Sequence, residues 1–177
     1  YYGFVTCAHG NNIGNTVYIS HPGSTTGKLG EILNRSYGGS VDVAFIRMTN
    51  RNYTNGQAVY YTSSQPGVTR QGAVLDGTQT TPSVNDVIYK SGMKTYLTWG
   101  HVESVDAQGY FNNTLFTYMI GADRAMSNPG DSGAVAYKLS GVGSYAKAVG
   151  VLKGKISGNT VFIRADIIKR MFGAEAY

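Results

Sequence analysis

Charge is sparse in this chain. Only 14% of its 177 residues are Asp, Glu, Lys or Arg, and the basic ones are scattered rather than gathered in a run. With no C2H2 pattern, no P-loop and no basic helix, nucleic acid is a poor candidate partner. The surplus of +5 reads as a mildly basic, solvated surface. Long apolar runs are missing too: no 18-residue stretch could cross a membrane as a helix. No leader precedes the first residues, as expected of a secreted protein whose signal peptide has been removed. Cysteine occurs once, at Cys7, so no internal disulfide can form. That leans toward a reducing compartment but does not exclude secretion, because a chain of this length needs no staples. Cys7 itself reads as a small buried hydrophobe. Leucine is scarce, which argues against a helical bundle.

Glycine and tyrosine are abundant instead, with 24 and 14 copies, beside a hydrophobic content of 42%. This is the composition of many short strands joined by turns. The length suits a single domain, residues 1–177, with halves of roughly 1–80 and 81–177. Strands are predicted over Thr16–Ser20, Lys28–Leu33, Val41–Met48, Ala58–Thr62, Val87–Lys90, Leu97–Val105, Thr114–Ile120, Gly133–Tyr137, Ala146–Leu152 and Thr160–Ile163. Turn residues separate them at His21-Pro22-Gly23, Tyr37-Gly38-Gly39, Asn55-Gly56 and Ser157-Gly158-Asn159. Such spacing suggests a sandwich or barrel. Tyr1 to Cys7 is strand-like from its first residue, which leads us to expect a further N-terminal segment. One helix is predicted near the C-terminus. Asp166 is its expected cap, Ile167, Ile168, Met171 and Phe172 its apolar face, and Gly173 its stop.

Three places could carry chemistry. Ser132 lies in Asn128-Pro129-Gly130-Asp131-Ser132-Gly133. A serine hydroxyl needs a nearby base to act as a nucleophile, and a developing oxyanion needs preorganised donors. A tight turn with Gly on both sides of Asp-Ser could supply two backbone amides, those of Gly130 and Ser132. The same residues also make an ordinary turn. His9 follows the apolar run Phe4 to Ala8 and precedes Gly10, so it sits at a strand end, where loops carry function. The other two histidines, His21 in a turn and His101 in an alternating run, have no neighbouring motif. Asp42 is embedded in Val41-Asp42-Val43-Ala44-Phe45-Ile46. It is either an edge residue facing water or a buried carboxylate that must have a partner.

Taken together, these sites resemble the chymotrypsin-like serine proteases. The chain order His, Asp, Ser is the order of that class. Phe4-Val5-Thr6-Cys7-Ala8-His9 resembles its histidine motif, Val41-Asp42-Val43-Ala44 its aspartate motif, and Gly130-Asp131-Ser132-Gly133 its serine motif. The spacing is most similar to the small bacterial branch of α-lytic protease and the streptogrisins, over nearly the whole chain. The resemblance implies an all-β fold of two six-stranded antiparallel barrels with a short C-terminal helix. It implies His9 as general base, Asp42 as its orienter, Ser132 as nucleophile, and an oxyanion hole from the Gly130 and Ser132 amides. It further implies a secreted, monomeric serine endopeptidase acting on proteins or peptides, with a possible pro-segment. No metal or cofactor, nucleic acid or membrane is implied.

Several positions depart from the family pattern. Gly10 stands where a bridged Cys usually follows the histidine, and chain that usually precedes the histidine motif is missing. Ala134-Val135 replaces a common Gly-Pro. Lys153-Gly154-Lys155 aligns with Ser-Gly-Gly, the segment that pairs with substrate and walls the specificity pocket opposite Asn128-Pro129. Lys153 takes the place of a serine that contacts the aspartate, and a cation there would stabilise or disturb Asp42. Lys155 falls near the pocket rim, which favours an acidic substrate side chain; with no acid at the pocket base, a preference for Lys or Arg is not expected. Lys90 corresponds to an Arg that pairs with the acid before the nucleophile, so a Lys90–Asp131 pair is expected. The alternatives are a catalytically inactive protease-like binding protein and an unrelated β-barrel ligand binder. A complete His-Asp-Ser set argues against both. Sequons at Asn34, Asn52 and Asn112 need no more than chance.

Overall fold

The computed structural model describes residues 2–21, 24–52, 61–62, 69–70, 73–141 and 145–173. The first sheet is antiparallel, with β1 (Gly3–Thr6), β2 (Thr16–His21), β3 (Ser24–Gly38) and β4 (Val41–Met48) in the order β1-β4-β3-β2. β4 lies inside it and is buried over Val41 to Ala44 and at Ile46, as its run of Val, Ala and Ile demands. β3 runs well past the predicted end at Leu33. Its polar Asn34-Arg35-Ser36 segment offers no apolar alternation, yet pairing with Phe45, Ala44 and Val43 of β4 holds it extended. β5 (Tyr61–Thr62) and β6 (Thr69–Arg70) form a small ribbon of their own. Most of the predicted Ala58–Thr62 strand, the Asn55-Gly56 turn and Pro22-Gly23 lie outside the described residues.

The second sheet contains β7 (Val74–Gln79), β8 (Val87–Gly92), β9 (Tyr96–Phe111), β10 (Thr114–Ala122), β11 (Val135–Leu139), β12 (Tyr145–Ile156) and β13 (Asn159–Arg164). Their order is β11-β8-β9-β10-β13-β12-β7, and β11 also pairs with β12. Six strands therefore form a closed ring of pairings, with β7 attached outside it, parallel to β12. β7 escaped the sequence reading because Asp76-Gly77 interrupts it with turn-forming residues. Its pairing ties Val74–Gln79 to the second sheet rather than the first.

The architecture is thus all-β in two units with one short helix, as expected. Among the described residues the first sheet has four strands. One apolar cluster joins the units. Val41 and Val43 of β4 pack with Phe116 and Met119 of β10, Val151 of β12, and Ile167 and Ile168 of the helix. That helix, α1 (Ala165–Phe172), ends at Gly173 in the left-handed region with φ 59°. Two details differ from expectation. Arg164 is the N-cap residue, and Asp166 sits in the first turn, where it favours the helix dipole and accepts from the Arg164 guanidinium at 2.9 Å. Met171 is 50% exposed, so the buried face is carried by Ala165, Ile167 and Ile168.

Candidate active site at the junction of the two sheets

β1 pairs with β4 in register Thr6 to Ala44, which brings the residues just after β1 beside Asp42. Cys7 and Ala8 are buried. A turn follows, fixed by the Asn11 amide on the Ala8 carbonyl and the Asn11 side chain on the Cys7 carbonyl. His9 is left at the edge of the core, its side chain 34% exposed. Its Nδ1 lies 2.6 Å from Oδ2 of Asp42, whose side chain has no exposure. Asp42 Oδ1 accepts from the backbone amides of Ala8 at 2.8 Å and His9 at 2.9 Å. The carboxylate therefore fixes both the segment and the ring. With Nδ1 donating to a carboxylate, Nε2 is the nitrogen left to accept a proton.

A further donor reaches Asp42 from the opposite sheet. The Lys153 ammonium lies 2.6 Å from the same Oδ2, with 3% of the side chain exposed. It sits 4.3 Å from the Phe116 ring centre, 4.5 Å from Phe111 and 4.9 Å from Tyr37. Lys153, aligned by sequence with the substrate-pairing segment and with a serine that contacts the aspartate, turns its side chain inward onto the carboxylate. These partners set the titration of both groups. The hydrogen bond to Asp42 leads in raising His9 from 6.5 to about 9. Burial pushes Asp42 upward, but hydrogen bonds from His9 and Lys153 outweigh it and hold the carboxyl below its usual value.

The turn carrying Ser132 is built on a second buried carboxylate. Asp131 accepts from the amides of Lys94 at 2.6 Å, Asn128 at 3.0 Å and Thr95 at 3.2 Å, and from the Thr95 hydroxyl at 2.7 Å. Lys90 Nζ lies 3.7 Å from Asp131, both side chains having no exposure. Its shorter bonds go to the Thr95 hydroxyl and the Tyr96 carbonyl. Thr95 thus bridges the expected pair. Nothing in the sequence marks Thr95 or the Lys94 amide for this task. Burial lowers Lys90, with Asp131 opposing; burial raises Asp131, and its amide and hydroxyl donors outweigh that.

Gly133 explains how this turn meets β1. Its φ is +91°, and a Cβ there would lie 2.1 Å from the Thr6 hydroxyl and 3.0 Å from the Cys7 amide nitrogen. Only glycine lets the Ser132 turn rest against the strand end that leads to His9. Gly130, at φ +103°, completes the turn. The Asp131 and Gly133 amides donate to the carbonyls of Asn128 and Leu152. Among the described residues, the Gly130 and Ser132 amides have no protein acceptor, and Ser132 makes no hydrogen bond to His9. Asn128, Pro129 and Gly130 are exposed, and Gly154 is half-buried. Lys155 is exposed and donates to the Asn128 side-chain oxygen at 3.4 Å.

Elsewhere, His101 pairs with Asp123 at 3.1 Å, but both side chains are substantially exposed. The His21 side chain lies outside the described residues. No cluster of three metal-ligating His, Cys, Asp or Glu side chains occurs among the described residues. No described helix is long and apolar enough to cross a membrane.

This fold is the chymotrypsin-like one, in the form found in bacterial serine proteases. The chain is similar to the Nocardiopsis protease, with 23% identity, 97% of this chain and 82% of that one covered, and a TM-score of 0.76. It is similar to the Cellulomonas bogoriensis chymotrypsin, at 23% identity, 99% and 85% coverage and a TM-score of 0.73. A glutamic acid-specific serine protease that uses a histidine triad in substrate binding matches at 22% identity, 99% and 86% coverage and a TM-score of 0.74. Likeness at such identities is likeness of fold. No protein-family model matches the chain, and no curated protein does.

Proposed function

We propose that the chain is a secreted serine endopeptidase that cleaves proteins or peptides through an acyl-enzyme. The observation that carries this reading is the buried Asp42 carboxylate. It holds His9 by Nδ1 while the Gly133 contact sets the Ser132 turn against the same strand end. In this reading Nε2 of His9 takes the Ser132 proton as Oγ attacks the scissile carbonyl. Asp42 keeps the ring in the right tautomer and stabilises the imidazolium. The Gly130 and Ser132 amides receive the oxyanion, and His9 returns the proton to the leaving amine. Water then repeats the cycle on the ester. Catalytic hydrogen bonds are often made only once substrate is bound, which fits a Ser132 hydroxyl not yet bonded to His9.

A fluorophosphonate probe tests this without knowledge of the substrate. Wild-type protein is expected to label on Ser132, and Ser132→Ala and His9→Ala are expected not to. Losing either member of such a unit costs on the order of 10⁶ in kcat. A folded wild-type sample that fails to label would favour the reading as a protease-shaped binding protein.

A further inference from the structure

Resting on that reading, we infer that Lys153 is a positioning residue that sets the basicity of His9 through the carboxylate oxygen the two share. Lys153 is the extra residue of a β-bulge: Leu152 pairs with Phe162 and Gly154 with Val161, which leaves Lys153 without a register partner. A bulge re-aims a side chain, and here it sends a long one across the junction from β12 to β4. Its side chain is 3% exposed, and its ammonium lies over three aromatic rings. Asp42 is the carboxylate it meets.

The consequence is a matter of charge count. With a neutral residue at position 153, an ionised Asp42 gives the site one negative charge, and protonating His9 neutralises it. With Lys153 present the site is already neutral, so protonating His9 leaves a net positive charge beside a buried group. Each cation lies 2.6 Å from Oδ2, so they stand within about 5 Å of one another. Like charges that close, screened from water, repel strongly. Lys153 therefore draws down the imidazole's basicity while keeping Asp42 ionised. It extends the pH range in which His9 is free to accept a proton, at the cost of a less stabilised imidazolium.

Other titratable groups stand near the pair. Cys7 Sγ, from the segment after β1, lies 3.9 Å from the His9 carbonyl oxygen, and the Tyr37 ring of β3 faces the Lys153 ammonium. Arg35 of β3 donates to Asn12. On the helix side, Asp166 is bound by Arg164 and Arg170. No other side chain among the described residues shares Oδ2.

The test is a titration of the His9 imidazole by NMR, its signals assigned with His9→Ala. Lys153→Met, and Lys153→Gln as a polar neutral variant should the first not fold, are expected to raise the midpoint by about one unit or more. Lys153→Arg keeps the charge and is expected to stay near the wild-type midpoint. The His101 midpoint, remote from the change, should stay fixed in all of them. The acid limb of kcat/KM should move with the His9 midpoint. An unchanged or lowered midpoint in the neutral variants would overturn the inference, as would a rise in the Arg variant equal to theirs. The titration needs no turnover. Fluorophosphonate labelling without a shift would sink this coupling alone, and a shift without labelling would sink the protease reading alone.

Discussion

Asp42 and Asp131 are both carboxylates with no exposed side-chain surface, yet they are kept ionised by different means. Asp42 relies on two cationic or potentially cationic partners on one oxygen and two amides on the other. Asp131 relies on three amides and a hydroxyl, with Lys90 one step behind Thr95. The first arrangement includes a partner, His9, whose charge state can change during a reaction. The second makes a rigid post, which suits a residue that only anchors a turn. Lys155 is different again. It is exposed and bonded only to a neutral amide oxygen, and no carboxylate pairs with it among the described residues. A substrate side chain entering between β12 and Asn128-Pro129 would meet an ammonium that an acid could take over. Peptide-library cleavage is therefore expected to favour Glu or Asp before the cleaved bond. Lys155→Gln should reduce that preference by about fivefold, the worth of an exposed charge pair. A wild-type profile indifferent to acidic residues there would dispose of the idea.

At the scale of elements, the site depends on one tight meeting between a turn and a strand end. A methyl group at position 133 would strike the Thr6 hydroxyl and the Cys7 backbone, and the positive φ would be strained as well. Gly133→Ala is expected to cost roughly 1–3 kcal/mol of stability from backbone strain. It should also slow fluorophosphonate labelling by about a hundredfold, because the nucleophile is displaced by part of an ångström or more. Guanidinium melts and labelling rates would read the two effects separately; a variant that melts and labels like wild type would show that the contact does not position Ser132. Glycine on either side of Asp-Ser was visible in the sequence, but the strand it presses on was not. The same split runs through the chain. Val41–Met48 was legible to the residue because both of its faces are apolar. The far ends of β3 and β9 were not, because polar residues there are held by partners that only the fold supplies. The need of Asp42 for a partner could be read from an acid inside an apolar strand. The service of Thr95 and the Lys94 amide to Asp131 could not, since a backbone N–H leaves no mark in a sequence and its acceptor lies more than thirty residues away.

For the molecule as a whole, the two sheets are joined by an apolar cluster and by a polar knot, His9–Asp42–Lys153. Unfolding separates all three groups, so stability must follow their titration. His9 is raised on folding from 6.5 to about 9. Its contribution is complete below about pH 6.5 and is lost as pH rises through about 9. Asp42 and Asp131 are lowered on folding from 3.8, so their contribution is present above that value and is lost as the solution becomes more acid. Stability should therefore peak between about pH 4 and 6.5 and decline on both sides. Lys90 works in the opposite sense on the alkaline side: burial lowers its ammonium, so deprotonation there relieves a cost and makes the decline shallower. The two can be separated with His9→Ala, which removes the imidazole but leaves Lys90 in place. Melting temperatures measured across the range should fall between about pH 6.5 and 9 in wild type and stay level or rise in the variant. If the wild-type melting temperature is flat over that interval, or the variant falls as steeply, then the His9–Asp42 bond does not stabilise the fold in the way the geometry implies.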